Sequence, residues 1–249
     1  MSAAPDSGLP PLPPPVEQLL SDFVQAARRC FGADLRTVVL FGSAAEGRLR
    51  PTSDLNLLLV LRRFERSQTD EFRAHFRLAR SAARAAVMFL TEPELPAAAE
   101  AFAVKFGDVA RRHRILWGDD LLSALRPSRA AMKTRLTQML LNLTLRLRER
   151  YAAEGPHEEQ IALAVAEAAG PLRAAAAALC ELEGVPFDSP RAALEAQIGR
   201  LGGTGTGSLA GAITAARQGG RLPPGQAPQT LFDLIHLTEA LRGRVEHLD

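Results

Sequence analysis

Cysteine is nearly absent from this 249-residue chain, which holds only Cys30 and Cys180. Two thiols so far apart exclude a disulfide scaffold and a cysteine-rich metal cluster, and both are expected to be buried. Tyrosine and tryptophan occur once each, so the interleaved aromatics on which single-stranded nucleic acid stacks are missing. Lysine is confined to Lys105 and Lys133, and the formal net charge is only +2. Nothing in that balance calls for nucleic acid or an anionic membrane as partner. A long apolar run is also lacking. The most apolar stretch, 161–182, is interrupted by Glu167, Gly170, Pro171 and Arg173 and is not expected to span a membrane. Residues 1–15, rich in proline, alanine and serine, have neither the positive start nor the apolar centre of a secretion leader. They read as a disordered tail, and a cytoplasmic location is the default.

What is present is a composition of 47% hydrophobic and 23% charged residues, typical of a soluble globular chain long enough for two domains. Apolar residues at Val16, Leu19, Leu20, Phe23 and Ala27 follow the helical stripe, with Pro15 suited to a first turn. Strands are expected at 36–41, 54–61 and 85–91, with a helix at 68–84 between the last two. A helix at 96–113 and a short apolar piece, 113–118, complete an α/β half at 16–126. Beyond Pro127 the period changes. Ser128 is placed to cap a helix to about Ala153, followed by helical stretches at 157–183, with a kink or break at Gly170-Pro171, and at 190–200, 208–217 and 228–247. The segment 127–249 is therefore expected to be an all-α helical bundle.

The chemistry concentrates in residues 38–60. An apolar strand ending at Phe41 runs into Gly42-Ser43, a spacer of about ten residues, and then Ser53-Asp54-Leu55-Asn56 at the head of a second apolar strand. Glycine lets backbone approach a ligand closely, and Ser43 is placed to open a short helix whose N–H groups face an anion. Alternation along the second strand would put Asp54 and Asn56 on one face, directed toward that turn. Arg48 or Arg50 supplies a nearby positive charge.

This pattern resembles the signature of the nucleotidyltransferase superfamily, in its minimal and kanamycin nucleotidyltransferase-like forms with a helical second domain. The resemblance covers about Val38 to Val60 by motif, and the rest only by architecture. It implies a small mixed sheet, an α/β (α+β) fold, and a site in which Gly42, Ser43, Arg48 and Ser53 bind a nucleoside triphosphate while Asp54 holds Mg²⁺. In such enzymes two carboxylates on this strand and a third from a later one hold two metal ions, and a nucleoside monophosphate passes to an acceptor hydroxyl. The acceptor is not identified, and a homodimer is left open.

Asn56 departs from the pattern, since it offers a neutral amide where the family has the second acid. The expected third strand, 85–91, carries no acid, and only Glu92 and Glu94 follow it. Glu46 also stands where related turns often have arginine. Two functions stay open: transfer of a nucleoside monophosphate to a small-molecule or protein hydroxyl, or a degenerate site acting as a nucleotide-binding, regulatory or toxin–antitoxin-type module.

Three other features are weighed. Arg73, Arg77, Arg80 and Arg84 share one helix face and read as a solvated strip. Arg111 to Arg114 read as a domain-boundary cluster. Arg242 and His247 weakly resemble the Arg-x4–6-His motif of HEPN helical domains, some of which are ribonucleases; an ordinary surface helix is the expectation.

Overall fold

Proline starts the first helix, where its missing N–H has no helical partner to lose: α1 spans Pro14–Phe31 and buries Leu20, Phe23, Ala27 and Phe31. In the computed structural model, which describes residues 11–49, 54–155, 157–201 and 206–248, four strands follow. They are β1 (Leu35–Phe41), β2 (Asn56–Leu61), β3 (Ala86–Thr91) and β4 (His113–Gly118), in the order β3-β2-β1-β4. Strand β1 is antiparallel to both β2 and β4. Strand β3 is parallel to β2 and is reached through helix α2, Arg66–Ala83.

Both faces of this sheet are covered, which is why its central strands read as continuous apolar runs. Val38, Leu40, Leu57 and Leu59 pack with Phe23 and Phe31 of α1 and Phe72 of α2. Val39, Phe41, Leu58 and Val60 pack on the other face with Leu95, Ala99, Phe106 and Val109, which belong to α3 (Leu95–Ala101) and α4 (Ala103–Arg111). Full burial of each large aliphatic side chain contributes about 1.5–3 kcal/mol. The single helix expected at 96–113 is thus two, interrupted at Phe102. The short apolar piece is a full strand, β4.

The chain divides into two compact units. The first comprises residues up to Glu100 with Phe106–Arg126, and the second Ala101–Lys105 with the chain from Pro127. The second is helical: α5 (Arg129–Glu154), α6 (Glu158–Leu182), α7 (Pro190–Arg200), α8 (Thr206–Gly219) and α9 (Ala227–Glu246). Ser128 caps α5 as expected, its hydroxyl accepting from the Ala131 N–H at 3.1 Å. Helix α6 runs unbroken through Gly170-Pro171. A β-carbon on Gly170 would lie 3.2 Å from Arg217 Nη1, so glycine there admits the α8 guanidinium against the α6 backbone.

Among the described residues, α6 is the helix long and apolar enough to cross a membrane by length and composition. Of its most apolar window 61% is buried inside the protein, and Ile161, Val165, Leu172, Ala176 and Leu179 are core residues. That is the setting of a core helix. Cys30 and Cys180 are buried free thiols; burial, with Glu71 nearby, pushes the Cys30 thiol up.

Candidate functional site

Gly42 ends β1 with φ +77°, a left-handed conformation that suits glycine and disfavours side chains. Its N–H donates to the Arg112 carbonyl at 2.9 Å, extending the β1–β4 ladder by one bond. The expected short helix opened by Ser43 is instead a single 3₁₀ turn, Gly42–Ala44, followed by a turn to Gly47. The cause is local. The N–H groups of Ala45, Gly47 and Arg48 fold back onto the carbonyls of Gly42, Ala44 and Ser43. The N–H group of Ser43 makes no hydrogen bond among the described residues, and Ser43 is half-buried at the turn's opening.

Strand register lines up one row of side chains at this end of the sheet. Phe41 pairs with Asn56 on one side and His113 on the other, and Asn56 pairs with Ala86. Registered residues on neighbouring strands project to the same face. The row is therefore Ala86, Asn56, Phe41, His113. The Asn56 amide lies over the turn: a β-carbon on Gly42 would be 3.8 Å from its Nδ2. His113 is committed elsewhere, with Nδ1 3.0 Å from the Val109 carbonyl and Nε2 3.4 Å from Asp120 Oδ1.

Asp54 does not share this placement. It lies two residues before β2, outside the strand, so alternation does not govern its direction. Its carboxylate pairs with Arg84, Oδ1 lying 2.8 Å from Nε, and its side chain is 48% exposed. Arg84 follows α2 and is the one non-glycine residue with positive φ among those described, at φ 52° and ψ 38°. The arginine strip is thus more than a solvated face, because its last member reaches the carboxylate that the motif singles out.

The turn is braced by a second group, drawn from the basic cluster at 111–114. Arg112 Nη1 donates to Glu46 Oε2 at 3.1 Å, its Nε donates to Asp108 Oδ1 at 2.8 Å, and its Nη2 also meets Asp108. Burial pushes the Arg112 guanidinium pKa down, but Asp108 and Glu46 push it up further, and the net shift is upward. Arg114 Nη2 donates to the Ala45 carbonyl at 3.3 Å. Glu46, the odd residue of the turn, is the partner of this brace. Its only sequence signal was that it broke the expected turn pattern. Arg48 is exposed and makes no side-chain contact of this kind among the described residues. Arg50 and Ser53 lie outside the described residues.

Could this donor set hold two divalent ions? Hard cations want several oxygen ligands, carboxylates above all. The site has one carboxylate already paired with a guanidinium, a neutral amide at Asn56, and Ala86 in the adjacent register position. Glu92 and Glu94 sit at the far end of the sheet, about 17 Å from Asn56 at roughly 3.3 Å per residue. Glu92 there pairs with Arg36 at 2.8 Å, and Glu94 accepts from the Thr91 N–H at 2.7 Å. Among the described residues no group of three His, Cys, Asp or Glu side chains could hold a metal ion. The described residues do not fit a two-metal centre.

The α/β unit with its Gly-Ser turn, ahead of a helical bundle, defines a nucleotidyltransferase fold. Among solved structures, the chain is similar to spectinomycin adenyltransferase AAD(9) from Enterococcus faecialis, crystallised with ATP and spectinomycin: TM-score 0.62 at 12% identity, over 92% of this chain and 99% of that one. No protein-family model matches the sequence, and no curated protein does.

In the helical unit, the residues of the HEPN-like motif are occupied locally. Arg242 pairs with Glu246 at 3.8 Å, and His247 Nδ1 lies 2.6 Å from the Gly243 carbonyl.

Proposed function

We propose that this protein is a nucleotide-binding module built on the nucleotidyltransferase fold, with a degenerate transfer site. The triphosphate of a nucleoside triphosphate would sit against the Ser43 N–H at the Gly42 turn, with Arg48 nearby. The observation that carries this reading is the row at the head of the sheet. Asn56 faces the turn with a neutral amide, Ala86 stands beside it, and Asp54 is held by Arg84. Ligand capture needs a free N–H and positive charge, which are present; in-line transfer needs clustered carboxylates, which the described residues lack. The ATP in the adenyltransferase neighbour supports the choice of ligand class.

A second reading, Mg²⁺-dependent transfer of a nucleoside monophosphate to a small-molecule or protein hydroxyl, draws on the exposure of Asp54, which leaves its carboxylate open to solvent.

Incubation with ATP, GTP, CTP and UTP in the presence of Mg²⁺ or Mn²⁺ separates the two. Binding by calorimetry without pyrophosphate release is expected. Pyrophosphate release by the natural chain, dependent on an acceptor, would establish the second reading. The pair Asn56→Asp with Ala86→Asp should bind Mn²⁺ at least about 10-fold tighter than the natural chain, because it restores first-shell oxygens. No gain would mean that the row is not the metal position.

A further inference from the structure

The geometry points to Arg84 as the resident cation of this site, so that it takes a triphosphate without a divalent ion, with Asp54 acting as the holder of the guanidinium. This inference rests on the nucleotide-binding reading and specifies its chemistry.

The disagreement between fold and donor set motivates it. A triphosphate brought to a low-dielectric turn needs positive charge beside it. In this fold that charge would come from ions held by carboxylates. Here the one carboxylate of the motif is occupied by a guanidinium, Nε to Oδ1 at 2.8 Å. Guanidinium carries five N–H donors in a planar fork that matches phosphate oxygens two at a time. With Asp54 on the Nε side, the terminal N–H groups of Arg84 make no hydrogen bond among the described residues. They remain available for an anion. Arg84 in turn cancels the Asp54 charge that would otherwise meet a polyphosphate with repulsion.

The backbone of Arg84 is a second, independent observation. At the end of a helix the left-handed position ordinarily falls to glycine, since a β-carbon there is unfavourable. The left-handed turn itself caps α2, with its backbone N–H returning to the Ala79 carbonyl, but arginine in place of glycine at φ 52° is a departure that this cap does not require. Departures of this kind gather at ligand sites, where side-chain chemistry outweighs backbone preference. From that position Arg84 spans the gap to Asp54. Ala86, two residues on, stands in register beside Asn56, so Arg84 is delivered to the end of the sheet where the Gly42 turn lies. Arg80 and Arg77, one and two turns back on the same helix face, are exposed and have no ion-pair partner among the described residues. They extend the positive charge along α2.

The experiment is titration of the full chain with ATP and, separately, with inorganic tripolyphosphate, each in EDTA and in Mg²⁺. Affinities equal within about 2-fold in the two buffers are expected, with Arg84→Gln at least 10-fold weaker for both ligands. Arg84→Gly is the companion variant. It relieves the left-handed strain, so its melting temperature should not fall below that of the natural chain, yet its binding should weaken as much. Binding that disappears in EDTA, or that survives both substitutions, overturns the role of Arg84 while leaving nucleotide binding intact. No binding of either ligand in either buffer overturns the nucleotide-binding reading itself, and this inference with it.

Discussion

Arg112, just past the end of α4, donates to Glu46 in the middle of the Gly-Ser turn, Nη1 to Oε2 at 3.1 Å, while the same guanidinium grips Asp108 in the last turn of that helix. The Arg112 carbonyl meanwhile accepts from Gly42. One residue therefore fixes both the backbone and the side chain of the turn against β4.

Removing that guanidinium leaves two partly buried carboxylates, 18% and 23% exposed, facing each other with less positive charge between them. Arg112→Met should cost about 2–3 kcal/mol, below the range for a fully buried pair because water reaches part of the group. Glu46→Gln keeps an acceptor oxygen and should cost about 0.5–1.5 kcal/mol. Urea unfolding of the three proteins side by side checks the order. A Glu46→Gln chain as stable as the natural one would show that Asp108, not the turn, accounts for the contribution of Arg112.

Two glycines with positive φ should respond differently to alanine. At Gly42 (φ 77°) the new β-carbon meets, among the described residues, only Asn56 Nδ2 at 3.8 Å, so the cost is backbone strain, about 1–2 kcal/mol. At Gly118 (φ 86°) it would lie 2.2 Å from the Arg36 carbonyl oxygen and 2.9 Å from Thr37 Cα. Backbone cannot yield there as a side-chain tip can, and Gly118→Ala should cost more than about 3 kcal/mol. Thermal melts decide it. A Gly118→Ala chain as stable as Gly42→Ala would contradict the close packing of β4 on β1.

Acid should weaken the α/β unit in a defined window. Gln68 and Arg63 hydrogen bonds hold the Asp34 carboxyl below its ordinary range, and the Thr91 N–H does the same for Glu94. At Asp120 burial pushes upward, but the Ser123 and Leu122 N–H groups and His113 outweigh it, and the net shift is downward. A carboxyl whose folded pKa is depressed contributes stability above its unfolded pKa, about 3.9–4.3, and loses it as pH falls through the folded value. The melting temperature should therefore hold from pH 7 to about 5 and fall below about 4. Asp34→Asn should start lower at pH 7 and show a shallower acid decline. A parallel decline in both proteins would remove Asp34 from the account.

The strand–turn–strand core was legible in the amino-acid order because its causes are local. Val38 to Phe41 and Leu57 to Val60 are apolar without interruption since both sheet faces are covered, and Gly42 stands where φ turns positive. The stripe of α1 and the Ser128 cap of α5 were readable for the same reason, as interactions spanning a few residues. The reading of Asp54 on a strand failed by two positions, because a strand begins where pairing begins, and β2 pairs with β1 only from Asn56. Glu46 looked like a missing arginine until its partner, 66 residues away, was in place.

By itself, the order of residues determined the type of fold, since backbone preference and apolar period act over short range. Only the tertiary structure decided what the site contains. Whether Asp54 faces a metal or a guanidinium, and whether an acid or Ala86 stands beside Asn56, depends on the register of β3 against β2 and on where α2 ends. Those are set by packing among segments distant in the chain, which no local pattern encodes.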